Sequence, residues 1–339
     1  MRILYTGPLT PVGQTCEMRR ITLERLGHQT VPVDYMLIVL SYWPLARKIQ
    51  WRLRAGPMVE RYNRLLLERL NDRPDIFWVD KGMLVRPEVL ARARKIGART
   101  LHYSPDNYFL AQNASRHLWS ALPLYDLVVT TKTDNVERLK AVGARTVLLS
   151  GNAYDPETHR PISGDDPDRQ EYVCDISFVG RWEPEREAWL ERIAETGVKL
   201  SIRGFQWDRA RSPAVCRAVH PKPALGLDYA RAITAAKINL AFLSRLAGDA
   251  ITQRSVEIPA CGGFMLAERT KEHLANFAEG VEAAYFDGIE ELLEKISFYL
   301  PRADERRRIA DAGRARCLSA GYSYDARLTQ ILETLEMQP

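Results

Sequence analysis

Arg2-Ile3-Leu4-Tyr5-Thr6-Gly7-Pro8-Leu9-Thr10-Pro11-Val12-Gly13, followed by a helical spacing over 14–26 and a stop at Gly27, is the stretch that decides the fold. A short apolar run reads as a strand, a Gly/Pro-rich turn follows it, and the next apolar residues recur at helical intervals until a glycine ends them. That is one βα unit. Working outward, strands are predicted over 29–34, 76–79, 100–103, 127–131 and 146–149. Helices are predicted over 86–96, with Pro87 near its start and Gly97 after its end, and over 134–142, closed by Gly143. Strands alternating with helices imply a parallel, doubly wound sheet.

Between 151 and 171 the composition shifts to Asn, Asp, Pro, Gly and Ser, which reads as a domain boundary. Beyond it a second α/β series is predicted: strands over 175–179, 199–203, 238–242, 264–266 and 283–286, helices over 184–195, 228–236 and 255–261, and helices to the end. The fold class expected is therefore α/β, with two Rossmann-like domains facing a cleft. The domains are placed at 1–154 and 172–322, with a linker over 155–171. In such sheets ligands sit outside the carboxyl ends of the strands.

At 339 residues, 46% hydrophobic and 27% charged, the chain has ordinary globular usage and enough length for two cores. Its five cysteines are scattered without metal spacing, so neither a disulfide framework nor a zinc site is expected. The apolar run over 35–45 is broken by Ser41 and Pro44 and is too short for a bilayer, which needs about 20 residues. With no apolar leader before the first strand, a cytoplasmic protein is expected. Residues 1–150 carry a net charge of +10 and the remainder −5, so the N-terminal part is the one suited to an anionic partner. The segment 36–73 holds eight basic and three acidic residues beside an aromatic-aliphatic run. It can lie peripherally on an anionic membrane or pack as a pair of helices on the sheet, and the second is the expectation. No nucleic-acid motif accompanies the charge.

The chemistry concentrates in Asp249-Ala250-Ile251-Thr252-Gln253-Arg254-Ser255-Val256-Glu257-Ile258-Pro259-Ala260-Cys261-Gly262-Gly263. Glu257 near a helix start can accept from both hydroxyls of a ribose, while Arg254 and free backbone N–H groups nearby suit a pyrophosphate. The stretch resembles the donor-site signature of GT-B glycosyltransferases, especially the spore-maturation-protein-like (CgeB-type) group with its Arg-x-x-Glu-x-Pro-Ala-Cys-Gly-Gly pattern. The resemblance continues through Glu268-Arg269-Thr270 and the helices that follow. It implies a glycosyltransferase of the hexosyltransferase class that moves a sugar from a nucleotide-sugar donor, UDP-sugar first, to an unidentified acceptor. The transfer would be retaining, without metal or other cofactor. By the same resemblance Glu257 binds the ribose, Asp249 the sugar hydroxyls, and a C-terminal helix over 323–339 returns to the first domain.

Further candidates lie at strand ends. Arg181, in Phe178-Val179-Gly180-Arg181, resembles the Gly-Arg that faces the diphosphate, and Arg203 ends the next strand in the same way. Gly13 resembles the close-approach loop near the donor phosphates or acceptor, which makes it a donor-binding candidate. His102 and Asp106 are the catalytic candidates, for donor or acceptor contact and proton handling, with Asp80-Lys81-Gly82 a weaker cleft candidate. Asp166-Pro167-Asp168 matches a two-carboxylate metal pattern but lacks a preceding strand, so no metal is assigned. A nucleotide-sugar epimerase on the same fold, or a non-catalytic nucleotide or nucleic-acid binding protein, are the alternatives.

Overall fold

The computed structural model describes residues 1–11 and 13–338. Two compact units result, one from Met1–Gly151 together with the segment from Tyr324, the other from Asn152–Ser323.

Unit 1 runs β1 (Arg2–Gly7), α1 (Thr15–Arg25), β2 (Gln29–Asp34), α2 (Tyr35–Leu40), α3 (Pro44–Leu53), α4 (Pro57–Leu70), β3 (Ile76–Asp80), α5 (Pro87–Lys95), β4 (Arg99–Ser104), α6 (Arg116–Ala121), β5 (Leu127–Thr130), α7 (Asn135–Ala141) and β6 (Val147–Leu149). Its six strands are all parallel in the order β2-β1-β3-β4-β5-β6. The central strands are buried on both faces, as a near-continuous apolar run such as Ile76-Phe77-Trp78-Val79 requires. Gly27 and Gly97 end α1 and α5 in the left-handed conformation.

Unit 2 runs β7 (Cys174–Val179), α8 (Pro184–Ala194), β8 (Leu200–Arg203), α9 (Pro213–Ala218), α10 (Leu227–Ala235), β9 (Ala236–Ala241), α11 (Arg254–Ala260), β10 (Met265–Glu268), α12 (Lys271–Asn276), β11 (Ala284–Phe286), α13 (Ile289–Tyr299) and α14 (Ala303–Ser319). Its parallel order is β11-β10-β9-β7-β8. The last helix, α15 (Tyr324–Glu336), belongs to unit 1, where Asp325 pairs with Arg25 of α1 at 2.7 Å.

Two features differ from the sequence reading. Residues 155–171 are part of unit 2 rather than a free connector: Arg231 of α10 pairs with Asp166 at 3.1 Å and with Asp168 at 3.0 Å. The polar composition there reflects this ion-pair web on a helix surface, and an arginine occupies the space between the two carboxylates. Secondly, 36–73 forms three helices. Val59, Tyr62, Leu66 and Leu70 of α4 recur at helical spacing and are fully buried, each contributing about 1.5–3 kcal/mol. By contrast no residue of α3 is fully buried, and the helix meets the core through the partly buried Trp51. No helix among the described residues is long and apolar enough to cross a membrane.

Candidate active site

In unit 2 the chain leaves β7 toward β8 and returns on the other side to β9, so the strand order reverses between β7 and β9. The carboxyl ends of those two strands diverge, and an open α/β sheet binds its ligand at such a point. A side chain bridges the two ends. Arg186 of α8 donates from Nη1 to the Arg181 carbonyl at 3.0 Å, from Nε to the Leu243 carbonyl at 3.2 Å and from Nη2 to the Phe242 carbonyl at 3.3 Å. It also pairs with Glu183 at 3.0 Å. Burial pulls its pKa down to about 10, and Arg254 adds to the fall, while Glu183, Asp249 and Glu268 oppose it.

Of the expected site residues, Arg186 bonds Arg181 and feels the charges of Asp249 and Arg254. The backbone of Arg181 is held by it, while the Arg181 side chain stays exposed and donates from Nε to Gln206 at 3.0 Å. The turn after β8 closes onto the turn after β7 because Gly204 has no Cβ: one placed there would stand 2.0 Å from the Gly180 oxygen. Asp249 lies in the loop after β9, its N–H donating to the Ser244 carbonyl at 3.0 Å. Beneath that loop, buried Glu268 at the end of β10 accepts from the Leu243 N–H at 2.6 Å and pairs with Arg245 at 2.5 Å.

Glu257 sits in the first turn of α11 and is 6% exposed. Buried His159 approaches its Oε1 with Nε2 at 3.7 Å, beyond hydrogen-bond length. Because His159 Nδ1 accepts the Asp155 N–H at 2.9 Å, the ring proton belongs on Nε2, toward the carboxylate. Tyr229 stands edge-on to His159, and burial together with Glu257 raises its pKa well above 10. Three residues before Glu257, Arg254 carries a buried Nε with no hydrogen-bond partner. A carboxylate and, one turn away, a guanidinium with an unpartnered Nε suit a sugar diol next to an anion. The start of α11 is fixed from below: His273 Nδ1 donates to the Glu268 carbonyl at 2.6 Å and Nε2 accepts from Ser255 Oγ at 2.7 Å.

Two expectations are corrected here. The backbone N–H groups of Ser255, Val256 and Glu257 already donate to Thr252 and Gln253 carbonyls at 3.1 Å, so they are not free for a phosphate. Arg203 is also turned elsewhere. Its guanidinium pairs with Glu171 at 3.0 Å and covers the Tyr172 ring at 4.3 Å, in a hollow of about 320 Å³ that none of the other candidates lines.

In unit 1, Asp106 pairs with Lys81 at 2.9 Å beyond the carboxyl ends of β3 and β4. Gly13 is in the left-handed conformation before α1, and Val12 beside it lies outside the described residues. Asp80 is fully buried and ion-paired with Arg19 at 2.8 Å, which makes it a structural group rather than a cleft residue. His102 departs from its expected part in proton handling. Nε2 accepts the Gly82 N–H at 3.0 Å and Nδ1 meets the Tyr108 hydroxyl at 2.8 Å, so both nitrogens are engaged. A Cβ on Gly82 would lie 3.0 Å from that ring, so the contact depends on glycine.

Burial lowers the His102 pKa to about 3, against about 6.5 for an exposed histidine. Between those values the unfolded chain binds a proton that the folded chain does not, so stability present above about pH 6.5 is lost as pH falls. Melting curves between about pH 7 and pH 5 should therefore show a shallower loss for His102→Gln than for the wild type. An unchanged slope would remove His102 as the source.

Residues 185–333 match a family described as glycosyl transferase-like. Comparison with curated proteins gives no match. Among solved structures, the sucrose-phosphate synthase of Thermosynechococcus elongatus superposes with a TM-score of 0.70 at 13% identity, covering 99% of this chain and 98% of that one. HepE of Anabaena, solved in complex with UDP-glucose, gives 0.67 at 15% identity, covering 99% of each chain. A glycosyltransferase from Rickettsia africae gives 0.66 at 12% identity, over 99% of this chain and 97% of that one. At such identities the likeness speaks for the fold, and the fold is GT-B.

Sequence reasoning did not single out Arg186, His159 or Tyr229. Arg186 had a signal: with Leu190 and Ile193 it completes an i, i+4, i+7 stripe, so a charge falls on the apolar face of α8 and needs buried partners. His159 lies in the stretch that composition marks as a connector and had none.

Proposed function

We propose that the protein is a glycosyltransferase of the hexosyltransferase class, in the spore-maturation-protein-like group, using a nucleotide-sugar donor held on unit 2. UDP-sugar is the first donor to test. Glu257 would accept from the ribose hydroxyls, Asp249 from the sugar, and Arg254 with Arg181 would meet the diphosphate. The observation that carries this reading is the buried Glu257 carboxylate set one turn from the buried, unpartnered Nε of Arg254. It is supported by the family match over the same residues and by the fold shared with HepE.

As the glycosidic bond lengthens, negative charge grows on the leaving diphosphate. Fixed cations aimed at that charge lower the barrier because they need no reorganisation during the step. Arg254 and Arg181 can supply this role, and we propose a metal-independent transfer on that basis; a retaining outcome is proposed from the resemblance of the donor-site stretch alone. The acceptor is assigned to unit 1, whose excess of cations suits an anionic molecule, with Asp106 and Gly13 as contacts.

Arg254→Ala separates the phosphate role from the nucleoside role. Affinity for the nucleoside diphosphate should fall about 10- to 100-fold, as for loss of a charged hydrogen bond, while affinity for the free nucleoside stays unchanged. Calorimetric titration with both ligands checks it, and an equal loss for both would place Arg254 elsewhere.

A further inference from the structure

Between Asp34 and Glu60 the chain carries four cations, Arg47, Lys48, Arg52 and Arg54, and no carboxylate. This stretch holds α2 and α3. The inner side of α3 meets the protein through Trp51, whose ring packs 6.1 Å from that of Tyr35 in the core of unit 1. On the opposite side Leu45, Ile49 and Leu53 follow one another at i, i+4 and i+8, exposed at 62%, 50% and 68%. Trp43, just before α3, is 78% exposed, and Leu37 and Leu40 of α2 are open as well. Among the described residues, six of the eighteen exposed large hydrophobics thus fall within seventeen positions. Lys48 and Arg52 lie one turn apart beside the stripe, exposed and in no ion pair among the described residues.

We propose that α2 and α3 dock unit 1 onto an anionic lipid bilayer, with α3 lying in the plane of the interface. An apolar stripe flanked by cations has the build of an interfacial helix. Its leucines enter the boundary between headgroups and acyl chains, an indole ring sits at headgroup level, and lysine and arginine meet lipid phosphates. Ten residues cannot span the hydrocarbon, so the contact is peripheral. The charge selects among occupants. A second copy of this chain would bring another Lys48 and Arg52 against this pair, whereas an anionic bilayer is complementary to it. Single exposed leucines are ordinary on a protein surface; a contiguous patch of one charge sign marks an interaction face.

Flotation of the full chain with vesicles tests this without any nucleotide, so the result is independent of the transfer reading. The protein should float with phosphatidylcholine vesicles containing phosphatidylglycerol and remain below with phosphatidylcholine alone. Lys48→Ala with Arg52→Ala should weaken binding roughly thirtyfold, given the contribution of each cation near an anionic surface. Ile49→Ser with Leu53→Ser should abolish it. Neither pair is buried, so both variants should keep the wild-type melting midpoint, which separates lost docking from lost folding. Failure to float with the anionic vesicles, or equal flotation of both variants, would overturn the proposal. So would a dimer in sedimentation equilibrium that the serine variant dissolves while vesicles are ignored.

Discussion

Glu257→Ala should remove the thermal stabilisation that a nucleoside diphosphate gives the wild-type protein, and should do so without lowering the melting midpoint of the ligand-free protein. The carboxylate is 6% exposed and its nearest cationic candidate, His159 Nε2, stands at 3.7 Å. Burying a charge that meets only the Tyr229 hydroxyl and His159, with no arginine or lysine paired to it among the described residues, costs free energy, so removal should leave the ligand-free fold about as stable. A residue kept against that cost is a candidate for binding rather than for folding. Two hydrogen bonds from ribose hydroxyls to a carboxylate contribute about 1.5–3 kcal/mol each, so affinity should fall at least 100-fold. A ligand at 100 times its dissociation constant stabilises by about 2.7 kcal/mol, and this shift should vanish in the variant. A lower midpoint with the ligand shift intact would make Glu257 a structural residue.

The largest loss of stability is expected in unit 1, from Asp80→Ala. Asp80 accepts from Arg19 Nε at 2.8 Å and from Nη2 at 3.1 Å, and takes a third bond from the Tyr5 hydroxyl at 2.6 Å. Both charged side chains are essentially excluded from solvent. Arg19 also lies over the Tyr103 ring at 4.3 Å and donates to the Tyr324 hydroxyl at 3.3 Å, which ties α15 into the same network. Removing the carboxylate leaves a guanidinium buried without its counter-charge, at a cost of about 3–5 kcal/mol. The melting midpoint of unit 1 should fall on the order of 10 °C. Arg19→Met combined with Asp80→Leu should fall less than Asp80→Ala alone, because no charge is then stranded. Equal losses would mean that packing, not charge pairing, holds this region.

The α/β class was legible because its signals are local: Gly7 to Gly13 between strand and helix, Gly27 and Gly97 at helix ends, and apolar runs such as Ile76 to Val79. Strand order was not, because nothing local says that β9 returns beside β7. That is why the partners of Arg186 could not be read, although its place on the apolar face of α8 could. Its partners Arg181, Phe242 and Leu243 are brought to it only by the reversal of order between those strands. His102 shows the opposite failure. A histidine at a strand end fits a cleft role, but its two partners, Gly82 and Tyr108, come from a close backbone approach and a loop that periodicity does not report. Exposure along α3 was unreadable for a similar reason, since an apolar stripe in sequence is the usual mark of a buried face.

The central claim is that unit 2 holds the nucleotide of a sugar donor. Calorimetric titration of the wild-type protein with UDP, UDP-glucose and the other common nucleoside diphosphates and their sugars tests it most directly. Saturable binding of one nucleotide and its sugar at a single competing site is the predicted result. Heat of dilution alone, across the whole panel, would contradict it.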